Sequence, residues 1–312
     1  MRYFDLHCDT ILACETQNLP LLHNHLHVDM ERGSALGAYA QCFAVFIEDS
    51  LPREQAFPLF LRAAGRLRAQ CEEHADRMLF CTEPGDLTRA GEANKIAAIL
   101  TIENGAALAG SLAHLEQAAA LGVKLMTLTW NGENELGGGA GTDGKTGLKP
   151  FGREALRKME ELGVIADVSH ACDRLFYDVA EYSTGPIVAS HSNARAVCPH
   201  RRNLTDEQFA VIRQKEGLVG LNFYRSFLRE DADRADITDI LRHAEHFLSL
   251  GGENVLAMGG DFDGAEMPAG IRGLQSVPDL YEAFLRENYP ETLLDKIFFQ
   301  NAQSFFIRNN LL

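Results

Sequence analysis

The sequence predicts an α/β protein whose parallel strands close into a (β/α)₈ barrel of the TIM type. Three observations lead to this expectation. Eight short apolar runs recur along the chain, segments with helical periodicity lie between them, and 312 residues suit a fold that typically takes about 250. Regular alternation of strand and helix favours closure over a doubly wound open sheet, which is the alternative. No repeat, linker or change in composition divides residues 1–312, so we expect a single barrel domain.

The expected strands are apolar on both faces, as strands of a buried parallel sheet are. They cover residues 2–6, 39–47, 95–102, 122–129, 163–168, 186–190, 217–222 and 254–260. Their carboxyl ends should meet at one rim, which is where barrels of this type carry their chemistry.

Helix signals separate these runs. Residues 205–215 begin with Thr205 and carry Gln208 three positions later, the pattern of a capping box. Residues 151–163 and 238–252 show apolar residues at helical spacing and end in glycine. The last segment, 293–312, is expected to form a helix that packs its Phe and Leu side chains on the body of the protein.

The composition excludes several classes of protein. A net charge of −15 argues against binding to nucleic acid or to an anionic lipid surface. We find no apolar run of about 18 residues that would span a bilayer, and no basic-then-apolar leader at the N-terminus. The seven cysteines are scattered without a CxxC pair, which predicts reduced thiols in a cytoplasmic protein.

Polar residues follow the expected strands at the rim where chemistry is anticipated. The candidates are His7, Asp9, Glu103, His170, His191, Asn222, Tyr224, Asp261 and Asp263. Carboxylates packed together repel one another and are costly to bury unless a cation compensates. Imidazole and carboxylate ligands suit zinc or a similar first-row ion. Two histidine-containing groups with a carboxylate between them indicate a two-metal site.

Six segments carry a resemblance to a known family. They are DLHCDT at 5–10, IENG at 102–105, PFGREALRKMEELGVIADVSH at 150–170, PIVASHSNARAVCPHRRNL at 186–204, GLVGLNFY at 217–224 and MGGDFDG at 258–264. On these segments the chain resembles the membrane dipeptidase (renal dipeptidase) family of dinuclear zinc peptidases, as a soluble member of bacterial type. The segments run in family order along nearly the whole chain.

The resemblance implies a role for each matching residue. It implies two Zn²⁺ ions bridged by Glu103, with the other ligands supplied in pairs, His7 and Asp9 for one ion and His170 and His191 for the other. It also implies that Asp261 is the catalytic acid and base. Arg202 would bind the carboxylate of the substrate, a task that suits the guanidinium fork.

Two positions depart from the family pattern. Trp130 stands where the mammalian relatives carry a histidine that polarises the scissile carbonyl, and an indole N–H can donate only one hydrogen bond. Either Asn131 or Asn134 substitutes for that histidine, or the substrate lies differently. Phe227 stands where relatives can carry a tyrosine that contacts substrate. We therefore take Trp130, Asn131 and Tyr224 as the candidate substrate contacts besides the arginine.

Other polar motifs receive structural interpretations. His23, His25 and His27 alternate before the second strand and are expected to be structural or surface residues, with His27 and Asp29 nearest the site. Residues 137–147 are rich in glycine and are expected to form a flexible loop over the mouth of the site rather than a phosphate cradle. His243 and His246, three apart on a helix, are expected to be solvated.

The sequence thus predicts a zinc-dependent dipeptidase that hydrolyses small dipeptides, including those with a C-terminal D-residue, by a hydroxide that bridges the metals. Two alternatives stay open. One is another amidohydrolase-type activity on N-acyl amino acids or lactones, and the other is a catalytically weak relative that binds metal or peptide. The expected partner is a small dipeptide, without nucleic acid or membrane, and a homodimer is compatible with the sequence.

Overall fold

The computed structural model describes residues 1–312 and contains nine strands that pair in parallel. They are β1 Arg2–Cys8, β2 Ala38–Phe46, β3 Met78–Phe80, β4 Ile96–Glu103, β5 Leu125–Thr127, β6 Ile165–Asp167, β7 Val188–Ala189, β8 Leu218–Leu221 and β9 Leu256–Met258. Eight of them form a ring in the order β1-β2-β4-β5-β6-β7-β8-β9, which closes because β9 also pairs with β1. The (β/α)₈ barrel expected from the sequence is confirmed.

Helices connect the strands around the outside of the ring. They are α1 Thr10–Gln17, α2 Met30–Ser34, α3 Arg53–Glu73, α4 Asp86–Glu92, α5 Leu112–Ala120, α6 Pro150–Leu162, α7 Asp173–Tyr182, α8 Asp206–Gln214, α9 Arg225–Leu228, α10 Ile237–Ser249, α11 Val277–Arg286, α12 Glu291–Asp295 and α13 Asn301–Arg308. The capping box of Thr205 and Gln208 starts α8, as expected. Gly163 ends α6 in the left-handed conformation, which glycine adopts without steric cost.

The ninth strand, β3, is outside the sequence prediction. It pairs with residues 96–98 of β4, while β5 pairs with residues 101–103 of β4. Since β2 occupies the other edge of β4, β3 and β5 share one edge, with β3 at the start of the strand. A three-residue strand is too short to show a hydrophobic period, and the sequence prediction missed it for that reason.

Alternating side chains of the strands build two apolar layers, as a period of two requires. Inside the barrel, Phe4, Leu6, Cys42 and Ile99 belong to one buried cluster. Side chains on the opposite faces pack against the surrounding helices in a larger cluster. The rim at the carboxyl ends of the strands is left for polar residues.

The other end of the barrel is closed by the C-terminal segment. The segment is helical from 291 to 308, with a π-helical turn at Lys296–Gln300 between α12 and α13. Phe306 stacks on Phe4 at the bottom of the barrel, with 5.3 Å between ring centroids, and Leu311 and Leu312 are buried in the same cluster. The interior is therefore open only towards the rim that carries the polar residues.

Candidate metal centre

The five ligands and the catalytic acid and base that the family resemblance implies converge at the carboxyl ends of the strands. The side chains of His7, Asp9, Glu103, His170, His191 and Asp261 are all buried there. A register shift between Asp5 and Cys8 of β1 interrupts the alternation of that strand. As a result Cys8 packs in the helix-facing cluster, while His7 contacts the other ligands.

Glu103, the last residue of β4, lies between two groups of side chains. Its Oε2 is 3.3 Å from Nε2 of His7. Its Oε1 is 2.9 Å from Nε2 of His170 and 3.7 Å from Nε2 of His191. One carboxylate oxygen therefore faces each group, which is the arrangement that a bridging carboxylate needs.

The remaining distances complete the two groups. On one side, Nε2 of His7 lies 3.6 Å from Oδ2 of Asp9 and 3.9 Å from Oδ1 of Asp261. On the other side, the two Nε2 atoms of His170 and His191 are 3.0 Å apart. Ligand atoms of His7, Glu103 and His191, and likewise of His7, Asp9 and Asp261, lie within 4.8 Å of one another.

The electrostatics of this cluster are those of a site that needs positive charge. Burial, with the nearby Asp9 carboxylate, raises the pKa of Glu103 to about 8. Burial also raises the pKa of Asp261. Burial alone would lower the pKa of His7, but Glu103 and Asp9 outweigh it and hold that pKa well above its ordinary value. Protons are thus attracted to the place where a cation would sit.

Unpartnered atoms support the same interpretation. Nε2 of His7 and Oδ1 of Asp9 are buried and take part in no hydrogen bond. Burying polar atoms without a partner costs free energy unless a ligand satisfies them. The donor set of imidazole nitrogens and carboxylate oxygens fits a first-row divalent ion, so the residues present fit a resident metal.

Neighbouring side chains fix the orientation of the ligands. Nδ1 of His170 is 3.0 Å from Oδ1 of Asn131, and Nδ1 of His191 is 2.7 Å from Oγ of Ser190. Hydrogen bonds of this kind leave Nε2 as the free ligand atom of each ring. Nδ2 of Asn222 donates to Oδ2 of Asp261 over 2.9 Å, which leaves Oδ1 of Asp261 directed towards the centre.

Two further aspartates bracket the ligands from within the barrel wall. Asp5 accepts the backbone N–H of His7 at 2.9 Å and that of Gly260, on the far side of the β1–β9 pairing, at 3.0 Å. Asp167 does the same between β6 and β7, where it accepts the N–H of Ser169 at 2.9 Å and of Ser190 at 3.0 Å. Asp167 thus holds the backbone beside the expected ligands His170 and His191, and Asp5 holds it at the expected ligand His7 and beside Asp261.

The backbone of the site is strained at three of its candidate residues. His170, Asp261 and Asp263 have φ values of 67°, 58° and 66°, in the left-handed region that residues other than glycine seldom adopt. Such strain tends to occur at functional sites, where the surrounding structure enforces it. Gly264 is required for a different reason, because a Cβ there would lie 2.0 Å from Oδ2 of Asp9.

Arg202 is buried next to the ligands and has no anionic partner. Its Nη2 approaches the carbonyl oxygen of His191 at 3.5 Å, and its guanidinium lies 5.1 Å from the ring centroid of Phe227. Its Nε is buried without a hydrogen bond. Burial lowers the pKa of Arg202 to about 10, so the group remains a cation at neutral pH that lacks a partner in the chain.

A cavity of about 370 Å³ opens above the centre. Glu103, His170 and Asp261 line its floor, and Tyr224 and Phe227 line the side near the arginine. The rest of the wall comes from Phe46, Trp130 and the exposed face of α1.

Asn131, an expected substrate contact, lines the cavity, and its Oδ1 also contacts Nδ1 of His170. Two other expectations are corrected by the structure. Asn134 donates to Asn104 and to the carbonyl of Leu128 and braces the loop. His243 was expected to be solvated but is fully buried. Both ring nitrogens have backbone partners there, since Nδ1 accepts the N–H of Ala194 and Nε2 contacts the carbonyl oxygen of Leu228. Burial lowers its pKa to about 4.

The glycine-rich segment 137–147 does not line the cavity above the centre. Residues 137–140 are buried, and the N–H of Ala140 donates to the carbonyl of His170 at 2.7 Å. The letters GAGTDGKT at 139–146 fit the spacing of a phosphate loop. However, no strand leads directly into them, α6 begins only at Pro150, and Lys145 pairs with Asp143 at the surface.

Some contributors were not assigned a role from sequence. The hydrogen bond from Asn222 to Asp261 joins the loops after β8 and β9. The hydrogen bond between Ser190 and Nδ1 of His191 depends on the rotamers of both side chains, which the sequence does not give. Phe46 ends an apolar strand and has no signal that distinguishes it from core. His27 lies as near the site as expected, since its Nδ1 accepts the N–H of Asp263 at 3.0 Å.

Comparisons with known proteins agree with this geometry. The sequence profile of a family described as membrane dipeptidase (peptidase family M19) matches residues 1–308. A metallopeptidase from Rhodobacter sphaeroides, solved with a phosphinate mimic of the dipeptide L-Ala-D-Ala, is 29% identical with a TM-score of 0.92 over 99% of both chains. A dipeptidase AC of metallopeptidase family M19 is 31% identical with a TM-score of 0.93 over 100% of this chain and 99% of its own.

A relative of undescribed function also aligns with the chain. It is encoded in the pqqA 5′ region of Klebsiella pneumoniae and is 34% identical over 236 residues, which are 73% of this chain and 87% of its own. None of the helices in the structure combines the length and the apolar character needed to cross a bilayer.

Proposed function

The chain belongs to the membrane dipeptidase family, peptidase family M19, and from this premise we propose that it is a zinc enzyme that removes the C-terminal residue of small dipeptides. The family and the solved relatives make it a metal-dependent dipeptidase. The identity and number of the metal ions, the stereochemistry of the substrate and the residue roles below are our proposal.

Two Zn²⁺ ions would be held by the buried cluster. Glu103 is proposed to bridge them, because each of its oxygens faces a different group of side chains. The other ligands are assigned as the sequence suggested, with His7 and Asp9 on one ion and His170 and His191 on the other. When bound, the ions would acidify a water molecule and polarise the scissile carbonyl.

Asp261 is proposed to move the proton. Its Oδ2 is held by Asn222, and its Oδ1 faces the centre at 3.9 Å from Nε2 of His7. Burial raises the pKa of this carboxyl, which suits a group that must accept a proton from water and return it to the leaving amine.

The unpaired arginine is the observation that best supports a dipeptidase over other hydrolases of this fold. Arg202 is a buried cation without a carboxylate partner beside the proposed metals. A free C-terminal carboxylate would supply that partner through charge-assisted hydrogen bonds. Substrates are therefore expected to carry a carboxylate one residue beyond the bond that is cut.

The proposal includes dipeptides whose C-terminal residue has the D configuration. The Rhodobacter sphaeroides relative was solved with a mimic of L-Ala-D-Ala, and this observation supports the stereochemical part of the proposal. Tyr224, at the same side of the cavity, is proposed as a further contact of the C-terminal residue.

The first experiment is amino-acid release from L,L and L,D dipeptides by zinc-loaded protein, with chelator-treated protein as the control. Dipeptide amides, which lack the carboxylate, should be poor substrates. Arg202→Lys keeps the charge but loses the planar fork, so kcat/KM should fall on the order of 10- to 100-fold. The matched variant is Arg201→Lys at the exposed neighbouring position, which should hydrolyse dipeptides as the unaltered protein does.

The results separate the alternatives. Chelator-sensitive release from dipeptides supports the proposal. Release from N-acyl amino acids or lactones without release from dipeptides would favour the other amidohydrolase activity. A metal-loaded protein that releases nothing would be the catalytically weak relative. Equal rates on dipeptides and their amides would contradict the role of Arg202.

A cytoplasmic site of action and a homodimer are also proposed. All seven cysteines are free and buried, which fits a reducing compartment. Sedimentation of the zinc-loaded protein would test the dimer.

A further inference from the structure

We propose that Phe46 and Trp130 form the subsite for the side chain of the N-terminal residue of the dipeptide, and that this subsite selects large apolar side chains. The inference rests on the proposed dipeptidase function and adds the substrate class.

The two rings form an aromatic corner in the wall of the cavity. Phe46 ends β2, and Trp130 follows β5 by three residues. Their centroids are 5.0 Å apart with the planes at 62°, an edge-to-face contact. Both side chains are only partly buried, so apolar ring surface faces the cavity. A large apolar side chain would remove that surface from water.

The remainder of the corner comes from the first helix. Leu12 and Ala13 of α1 line the cavity, and Thr16 and Gln17 lie one turn further along, at the exposed end of the helix. Two of the cavity's carboxylates adjoin this helix, namely Asp9 directly before it and Asp263, whose Oδ2 accepts the hydroxyl hydrogen of Thr10. The side chains that form the corner itself carry no charge, so the corner favours an apolar residue of the substrate.

The order of strands around the barrel sets the direction of the substrate. Arg202 follows β7, and β2 is four places away in the ring of eight, which is the opposite side. A dipeptide whose carboxylate is bound by Arg202 and whose peptide bond lies over the centre must therefore direct its N-terminal residue towards Phe46. Trp130 follows β5, which is two places from both β2 and β7 in the ring. Its ring centroid lies 5.0 Å from that of Phe46 and 6.2 Å from that of His170, so the indole adjoins both Phe46 and the centre.

The size of the cavity supports a large side chain. Its volume of about 370 Å³ exceeds what the backbone and methyl groups of an alanyl-alanine fill. Since one methylene in an apolar pocket can change kcat/KM about tenfold, we expect Leu-Ala to exceed Ala-Ala by about tenfold or more.

The test compares selectivity at the two ends of the substrate. Zinc-loaded protein is assayed with Leu-Ala, Ala-Ala and Ala-Leu, using the C-terminal configuration that is hydrolysed faster. Trp130→Ala should reduce the ratio of Leu-Ala to Ala-Ala towards one, and leave the ratio of Ala-Leu to Ala-Ala unchanged. Trp130→Phe, which keeps an apolar ring without the N–H, should retain the preference for Leu-Ala. The matched control is Tyr177→Ala, an exposed aromatic residue on α7.

Three outcomes would overturn the inference. The first is an equal loss on all three substrates with zinc content intact, because Trp130 would then act on the peptide bond itself. The second is a change confined to the C-terminal residue, because the substrate would then lie in the opposite direction. The third is a wild-type protein that prefers Ala-Ala.

Fluorescence gives a measurement that does not depend on turnover. Trp130 is the one tryptophan of the chain, so its emission reports on this subsite alone. A phosphinate mimic of Leu-Ala should shift the emission to the blue by excluding water from the indole, and a mimic of Ala-Ala should shift it less. Equal shifts, or none with binding shown by calorimetry, would contradict the subsite. If no dipeptide is hydrolysed, the proposed function fails, and the two mimics still decide whether the subsite exists.

Discussion

Asp261→Asn provides the sharpest test of the proposed catalytic residues. The substitution removes the group that accepts and returns a proton but alters little else. The backbone at this position has φ 58°, a conformation that asparagine tolerates as well as aspartate. In the unaltered protein Nδ2 of Asn222 donates to Oδ2 of Asp261 over 2.9 Å. The amide oxygen of the asparagine variant can still accept this hydrogen bond.

The expected loss follows from the chemistry that remains. General acid and base catalysis contributes typically 10²- to 10⁴-fold, so kcat should fall by about that factor, or about 2.7 to 5.5 kcal/mol of barrier. KM should change little because Arg202 is untouched. The five proposed ligands are also untouched, so the zinc content should equal that of the unaltered protein.

The assay combines turnover with elemental analysis of the same sample. Zinc-loaded wild type and Asp261→Asn are compared at saturating dipeptide, and bound zinc is counted by mass spectrometry. A loss of less than tenfold in kcat with full zinc would refute the assignment of Asp261 as acid and base. Loss of one ion would show instead that Asp261 is a ligand. Its carboxylate lies close enough to His7 and Asp9 to bind an ion together with them.

Three further predictions concern metal, pH and stability. Asn131→Ala removes the hydrogen-bond partner of His170 and should weaken zinc binding about 10- to 100-fold, measured by competition with a chelating dye. Asn131→Asp should restore the affinity. Unchanged affinity in Asn131→Ala would show that Asn131 does not support His170 as a ligand. Folded-state pKa values raised at Glu103 and His7 mean that the metal-free fold holds protons that the unfolded chain has released. The metal-free protein should therefore lose about 1 to 2 kcal/mol of stability between pH 6.5 and 8. A thermal midpoint of the metal-free protein that stays constant over this range would contradict this reasoning. So would a difference in midpoint between zinc-loaded and metal-free protein that is no larger at pH 8 than at pH 6.5. Phe306→Ala removes a fully buried ring and should cost about 3 to 5 kcal/mol in chemical denaturation without changing KM; a smaller loss would show that the barrel does not depend on its C-terminal helix.

The barrel and the positions of the proposed ligands were accessible from the sequence because each depends on a local pattern. Apolar runs predict strands, and a polar residue that follows such a run predicts a side chain at the rim. His170 and His191 follow their strands in this way, although β6 and β7 have only three and two residues. The expected strands were longer, since apolar residues continue into the flanking turns.

Contacts between separate loops could not be predicted in the same way. Asn222 reaches Asp261 across 39 positions, and nothing in either local pattern specifies that pair. The burial of His243 does have a local signal, because the residue stands three after Ile240 and four before Phe247 on the apolar stripe of α10. The contact of Asn131 with His170 joins the loops after β5 and β6, and no local sequence pattern specifies it.

Two pairs of neighbouring strands in the ring share the fewest paired residues, and Asp5 and Asp167 lie at these two places. β1 and β9, and likewise β6 and β7, have a single residue pair in register, with Asp5 and Asp167 holding the opposite strands by their N–H groups. Two proposed ligands, His170 and His191, stand on either side of the β6–β7 seam, whereas His7 and Asp9 of the first strand face the proposed acid and base, Asp261, across the other seam. A bound cation would therefore join the barrel at the β6–β7 seam, one of the two places with the fewest paired residues. Deuterium should enter the amide of Ser190 faster in the metal-free protein than in the loaded one.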